Sequence, residues 1–439
     1  MKRICVIGSG PAAFFTAGHL LKSSQNTVVD IVEKMPTAHG LVRYGVAPDH
    51  QDVKNVENKF IDLLNSERLQ FFGGIEVGHS VKLSKLRKLY NAVVVATGCE
   101  RPKSLGIEGE FGTNILSSHD FITWYNGHPD SMQMEPDLAC SSNAVILGQG
   151  NVALDVARIL LTPPSILEKS DISDRALSVL RKSEVQNVFC VGRRGLANVS
   201  FTIKELRDIT KIQNVDVSVL ATMGDEEIES LARPRKRLMQ LCKEFQSTKR
   251  CDDFTSLKKD EVKNFVLDFN KTPCEFLLNE ESLSVESIQF KGTNDMKGET
   301  VNFPTGLVVK CIGYEGVPID KSVPFDSKKG VYENDKGKVD TGLYCSGWAK
   351  TGPVGVIAAT LNSSQETADC ILRDLDYLPS VVEPGGLKGF LQKKNMAFVS
   401  GRRWLQLYER EIELGKMEGK PRKKFESYFD IMNALNGFI

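Results

Sequence analysis

Arg3-Ile4-Cys5-Val6-Ile7-Gly8-Ser9-Gly10-Pro11-Ala12-Ala13 opens the chain, and Ala144-Val145-Ile146-Leu147-Gly148-Gln149-Gly150-Asn151-Val152-Ala153 repeats its plan. Each stretch is a short apolar run, a Gly-x-Gly turn and the start of a helical pattern, with alanine where a third glycine often stands. A buried strand that turns into a helix in this way gathers backbone N–H groups and the positive end of the helix dipole at one point, which suits a pyrophosphate. The first glycine permits the tight turn and the second the close approach of phosphate. The third position needs only a small side chain where helix meets strand. One such motif is a weak signal. Two of them predict a protein that binds two dinucleotides and passes electrons between them.

The two turns differ in the charge at the end of the next strand. After the first, Val28-Val29-Asp30-Ile31-Val32 reads as a second strand ending at Glu33, which completes a βαβ unit. A carboxylate there accepts hydrogen bonds from a ribose 2′-hydroxyl and repels a 2′-phosphate, so the site suits the adenosine of FAD or NAD. After the second turn, the strand Asn187 to Val191 ends in Gly192-Arg193-Arg194-Gly195. Two guanidiniums can clamp a 2′-phosphate, which favours NADP(H).

The 439 residues are too many for one ordinary core, and two domains are expected. Lys+Arg and Asp+Glu both number 56, so whole-chain charge gives no argument for nucleic acid. Ten cysteines are scattered with no closely spaced pair, which weakens metal, iron–sulfur and dithiol readings together. No apolar run is long enough to span a bilayer. The first strand starts close to Met1, which leaves no room for a signal or transit peptide in this form of the chain. Further helices are expected at Pro11 to Leu21, Val53 to Asn65, up to Leu161 before Pro163-Pro164, at Ser173 to Lys182, from near Val354, and around Trp404 to Ile412. Ala92 to Gly98 and Leu343 to Ser346 read as buried strands, and Asp216 to Lys310 as mixed strands with polar breaks.

Gly40-Leu41-Val42-Arg43-Tyr44-Gly45-Val46-Ala47-Pro48-Asp49-His50, with Val53-Lys54-Asn55-Val56 after it, resembles the mitochondrial NADPH:adrenodoxin (ferredoxin) oxidoreductases and their bacterial ferredoxin–NADP reductase relatives. So do Gly148 to Leu161, Gly192 to Gly195 with Phe201-Thr202-Ile203-Lys204-Glu205-Leu206, Gly347-Trp348 with Gly352-Pro353-Val354-Gly355, and Gly419-Lys420-Pro421-Arg422. The resemblance implies an α/β fold of two Rossmann-like, glutathione-reductase-like domains. FAD would lie in a discontinuous domain, residues 1–103 and 314–439, and NADP(H) in residues 104–313. It implies FAD contacts from Gly8, Gly10, Pro11, Ala12, Ala13, Glu33, Lys34, Gly40, Leu41, Val42, Gly98, Trp348, Gly355, Val356 and Ile357. NADP contacts are implied from Gly148, Gln149, Gly150, Asn151, Val152, Arg193, Arg194 and Glu205, with Trp348 and Gly355. Two departures are visible: Ala13 at the third glycine, and Thr37-Ala38-His39 where relatives usually carry proline and an apolar residue.

Family chemistry would carry hydride from the nicotinamide to the flavin and single electrons on to a 2Fe–2S ferredoxin, for iron–sulfur cluster assembly or haem monooxygenases. The resemblance brings His50 and Asp155 to one cleft, where they are candidates for proton handling. A helix starting near Gly355 would aim its positive end at the flavin. Arg233-Pro234-Arg235-Lys236-Arg237 is the dense basic run, and the family assigns Arg233 and Arg237 to the acidic face of the ferredoxin. A monomer is expected, with no metal ion of its own. The resemblance places it in the mitochondrial matrix or a mitochondrion-derived organelle, with a bacterial cytoplasm as the alternative. Rival readings are the electron-input subunit of glutamate synthase, which carries additional cysteine motifs, and a redox-inactive NADPH-binding protein. A disulfide reductase would need an active-site cysteine pair.

Overall fold

The computed structural model describes residues 1–248, 262–293 and 298–437. The chain divides into two compact units. One is Met1–Val46, His50–Arg101 and Tyr314–Ile439, and the other is Ala47–Asp49 and Pro102–Gly313.

The first unit is built on a seven-stranded sheet in the order Lys338–Asp340, Leu343–Cys345, Ala92–Val95, Lys2–Ile7, Thr27–Glu33, Leu69–Gly73, Val399–Ser400. The inner five strands are parallel and the two edge strands antiparallel. Ile4 and Val6 face one core cluster while Cys5 and Ile7 face another. Burial on both faces explains why these strands read as continuous apolar runs rather than alternating ones. Ile7 pairs with Val32 on one side and Val95 on the other, so three strands end level beneath Gly8.

The second unit repeats this plan with six parallel strands in the order Ile115–Ser117, Leu307–Lys310, Asn143–Leu147, Asn187–Val191, Lys263–Asp268, Val215–Val219. Leu147 pairs with Val191 and Lys310, so this strand also ends level with its neighbours, beneath Gly148. In both sheets the strand leading into the glycine turn lies where the strand order reverses, the place where open α/β sheets bind ligands. The mixed region expected from 216 to 310 includes a three-stranded antiparallel sheet, Lys271–Leu278, Val285–Gly292 and Thr300–Pro304. Phe276, Ile288, Phe290 and Phe303 seal it onto Val145, Phe189 and Val266 of the parallel sheet.

Two helix expectations shift. The pattern at 53–65 is broken into Gln51–Lys54 and Glu57–Leu64. The helix expected near Val354 begins at Ile357, because Gly352 (φ +79°) and Gly355 (φ +83°) hold the preceding turn in left-handed backbone that cannot continue into a helix. Among the described residues no helix is long and apolar enough to cross a membrane. Nine cysteines are free thiols, most of them buried, and Cys251 lies outside the described residues.

Candidate functional site

The two fingerprint turns are near copies. Gly8 has φ +103° and Gly148 φ +115°, and a Cβ on either would meet a carbonyl oxygen at the exit of a neighbouring strand, Ala96 at 2.4 Å or Cys311 at 2.3 Å. The N–H of Gly8 donates to Val32 O at 2.7 Å and that of Gly148 to Val191 O at 2.9 Å. Here glycine is required by the fold itself. At Gly10 and Gly150 the requirement is different. Both adopt ordinary extended backbone, and a Cβ on either would meet nothing within 4 Å. The helices that these turns start, Pro11–Ser23 and Asn151–Leu161, have no side-chain cap at their first turn. Free N–H donors beside an open approach fit a pyrophosphate at each turn.

Around the first turn, Glu33 Oε2 accepts from the Ser9 N–H at 2.8 Å and the Ser9 hydroxyl at 2.7 Å, and Oε1 accepts from the Met35 N–H at 3.0 Å. Burial pushes this carboxyl above its usual range, and the Met35 and Ser9 donors oppose the push. A carboxylate has about four acceptor positions, so Glu33 keeps capacity for a ribose hydroxyl. Lys34 is exposed and paired with Glu100. The His39 N–H donates to Ser9 O at 3.0 Å, and Gly40 (φ +48°) packs so that its Cβ would lie 3.0 Å from Gly10 Cα. Gly40, Leu41 and Val42 are thereby brought to the turn, Val42 buried and Leu41 exposed.

The late glycine turn reaches the same place. A Cβ on Gly347 (φ +63°) would strike Ala12 Cβ at 2.3 Å, and Thr16 Oγ1 lies 2.8 Å from Ser346 Oγ. Trp348, at the start of a short helix, stacks on Tyr314 with ring centroids 6.5 Å apart. Gly98 (φ +72°) comes just after the Ala92–Val95 strand, with open space at its Cβ position. Gly355 and Val356 are exposed, and the Ile357–Asp374 helix, without a side-chain cap, packs along Pro11–Ser23. Its later start leaves Gly355 in the turn rather than in the helix.

In the second unit Gln149 Nε2 donates to the Cys190 and Asp268 carbonyls, which anchors the turn to two strand ends. Asn151 Oδ1 accepts from the Thr202 N–H at 2.8 Å. Arg193 and Arg194 are exposed, and Arg194 Nη2 reaches Ser200 Oγ at 3.4 Å. Val152 is half-buried against the core of this unit.

Residues 2–188 match the family model described as pyridine nucleotide-disulphide oxidoreductase. The mitochondrial NADPH:adrenodoxin oxidoreductase of Bos taurus is 43% identical over 453 residues, covering 99% of this chain and 92% of that protein. The chain belongs to the NADPH:adrenodoxin oxidoreductase family. The Arabidopsis thaliana member is 38% identical over 98% of this chain and 95% of its own length. A solved structure, Mycobacterium tuberculosis FprA in complex with NADPH, superposes with a TM-score of 0.89 at 32% identity, covering 99% of this chain and all of that one.

Within this NADPH:adrenodoxin oxidoreductase fold, His50 precedes the short helix Gln51–Lys54 in the first unit. Asp155 lies on the second fingerprint helix, where its carboxylate accepts from Arg158 Nη2 at 2.7 Å. Arg158 was not among the residues singled out from sequence. It is almost fully buried and also binds Asp49, at 3.1 Å through Nη2, and Glu205, at 3.3 Å through Nη1. Burial opposes its charged form, but Asp49 and Asp155 together raise its pKa above the usual value. The i, i+3 spacing of Asp155 and Arg158 was the one local sign of this cluster. Arg233 and Arg237 are exposed on the helix Arg233–Glu244, one turn apart.

His39, the departure from the family pattern, is fully buried among Phe14, Phe60, Trp404 and Tyr408. Its Nδ1 lies 3.6 Å from Glu57 Oε1, too far for a good hydrogen bond. Burial lowers its pKa, Glu57 partly opposes that, and Arg422 and Arg43 add to it. Burial would raise the Glu57 carboxyl, but Arg422 and His39 together hold it well below the usual range.

Proposed function

We propose that this chain carries electrons from NADPH through FAD to an acidic 2Fe–2S ferredoxin, as an NADPH:adrenodoxin (ferredoxin) oxidoreductase. The observation that carries the reading is the pair of matching glycine turns with opposite charge at the next strand end, Glu33 in one and Arg193-Arg194 in the other. FAD, when bound, would take up the two electrons of one hydride and pass them on singly. The residues bind, orient and exclude water. Gly8, Gly10, Pro11, Ala12 and Ala13 hold the FAD pyrophosphate, Glu33 its ribose, and Gly40 to Val42 with Trp348 and Gly355 to Ile357 surround the ring. Gly148 to Val152 hold the NADP(H) pyrophosphate, and Arg193 and Arg194 its 2′-phosphate. The unit of residues 102–313 is then the NADP(H) domain and the discontinuous unit the FAD domain.

Arg233 and Arg237 form the docking pair for the ferredoxin, since long-range attraction between a basic helix face and an acidic partner speeds encounter. His50 is the residue proposed to handle a proton. Asp155, bonded to Arg158, is the carboxylate proposed as the second candidate for that task. The relatives are named mitochondrial, and a mitochondrial matrix or a related organelle, with a monomeric enzyme, is the setting proposed here.

The test is spectroscopic. The purified protein should show a flavin band that bleaches on anaerobic addition of NADPH and much less readily with NADH, and should then reduce an acidic 2Fe–2S ferredoxin. A protein without flavin, or one that bleaches and passes nothing to any ferredoxin, would sink the proposal.

A further inference from the structure

Arg235 lies in the middle of the basic run but does not share its exposure. Arg233 and Arg237 face solvent one turn apart, while Arg235, on the other side of the helix, is half-buried. Its Nη1 donates to the Val199 carbonyl at 2.8 Å and its Nη2 to the Ala197 carbonyl. Those carbonyls belong to the segment that leaves Arg193-Arg194. The far end of that segment is fixed too, since the Ser200 N–H donates to Gln149 O at 2.8 Å and its hydroxyl accepts from Arg194. Arg235 therefore pins the middle of a loop whose start carries the two exposed arginines and whose end is tied to the glycine turn. Burial disfavours its charged form, Cys242 partly opposes that, and the nearby Arg194 charge adds to the cost. Two guanidiniums held close enough to repel each other are relieved by an anion between them.

We infer that Arg235 is a positioning residue for recognition of a nucleotide 2′-phosphate, fixing the Arg193-Arg194 loop and adding a third positive charge to the field at that phosphate. This rests on the assignment of Arg193 and Arg194 to the 2′-phosphate. A nucleotide with a 2′-hydroxyl does not draw on that charge, so Arg235 separates NADPH from NADH rather than supporting both equally. The residue sits between the two proposed docking arginines, yet its hydrogen bonds point to the nucleotide loop.

The experiment uses the FAD-containing enzyme with ferricyanide as acceptor, which bypasses the ferredoxin. R235Q should raise the KM for NADPH about tenfold, the effect of one lost charged contact, with kcat and the KM for NADH unchanged. R235K should fall between R235Q and the parent, since an ammonium keeps the charge but cannot donate along two fixed carbonyl directions. Inhibition by 2′-AMP should weaken in R235K while inhibition by 5′-AMP stays as it was, a readout that does not depend on R235Q folding well. Equal shifts in both KM values, no shift in either, or a fall in kcat alone would overturn the inference. R193Q/R194Q separates the two levels. If that double variant keeps its preference for NADPH, the underlying phosphate assignment fails. If it loses the preference while R235Q retains it, only the role of Arg235 fails.

Discussion

Gly8 and Gly10 look interchangeable as letters in a motif, and replacing each with alanine should separate folding from flavin binding. At Gly10 the backbone angles are φ −78° and ψ −176°, open to any residue, and a Cβ meets no atom within 4 Å. Gly10→Ala should therefore leave the flavin-free protein unchanged or raise its stability by about 0.4–1 kcal/mol through the unfolded chain. The added methyl occupies the approach of the pyrophosphate. If the phosphates retreat far enough to lose two charge-assisted bonds at roughly 1.5 kcal/mol each, FAD affinity falls about a hundredfold. Gly8→Ala meets the opposite situation. Its φ of +103° and a 2.4 Å overlap with Ala96 O strain the turn whether or not a nucleotide is present. That variant should lose roughly 3 kcal/mol or more of stability. The assay is the flavin-to-protein ratio of the purified variants, with thermal melts in the absence and presence of added FAD. A Gly10→Ala protein that retains FAD like the parent, or melts as early as Gly8→Ala without flavin, would refute this division of labour.

Arg158→Met leaves Asp49, Asp155 and Glu205 without their shared cation and should cost about 3–5 kcal/mol, seen as a large fall in the denaturant midpoint; a loss below about 1 kcal/mol would show that the cluster is solvated. Charge reversal at Arg233 and Arg237 should slow ferredoxin reduction steeply at low salt while sparing ferricyanide reduction, and equal loss of both activities would remove the docking role. His39 is depressed in the folded state, so its neutral form costs nothing above the unfolded value of about 6.5. Below that, the unfolded chain takes up a proton that the folded site resists, and stability falls as pH falls. His39→Phe should flatten this dependence, so the melting difference between variant and parent must change between about pH 7.5 and about pH 5.5. A constant difference would mean that His39 does not titrate on unfolding.

The sequence carried the parts of this molecule that are locally encoded. Apolar runs buried on both faces, the glycine turns, and the acid or arginine at the next strand end all lie within one βαβ unit each, and they mark both sites. What was not legible depends on residues far apart in the chain. Arg158 reads as a helical surface cation until Asp49 is folded onto it, 109 positions upstream. Arg235 reads as one of a basic run until its carbonyl partners at 197 and 199 are in place. The helix Ile357–Asp374 starts later than its pattern suggests because the sequence shows a glycine at 355 but not its left-handed angle. His39 was visible as an oddity, whereas the aromatic cage around it draws on residues 14, 60, 404 and 408.

Gly347 against Ala12 has a consequence for biosynthesis. The N-terminal fingerprint leaves the ribosome first, but the strand and turn that complete its surroundings, Leu343–Cys345 and Gly347, come about 330 residues later. The unit spanning Pro102–Gly313 is nearly continuous and can close its own sheet while the chain is still growing. The first-made segment therefore remains part of an unfinished sheet until the Leu343–Cys345 strand is added. A chain halted before residue 343 would present a folded 102–313 unit and a first sheet that lacks its Leu343–Cys345 strand.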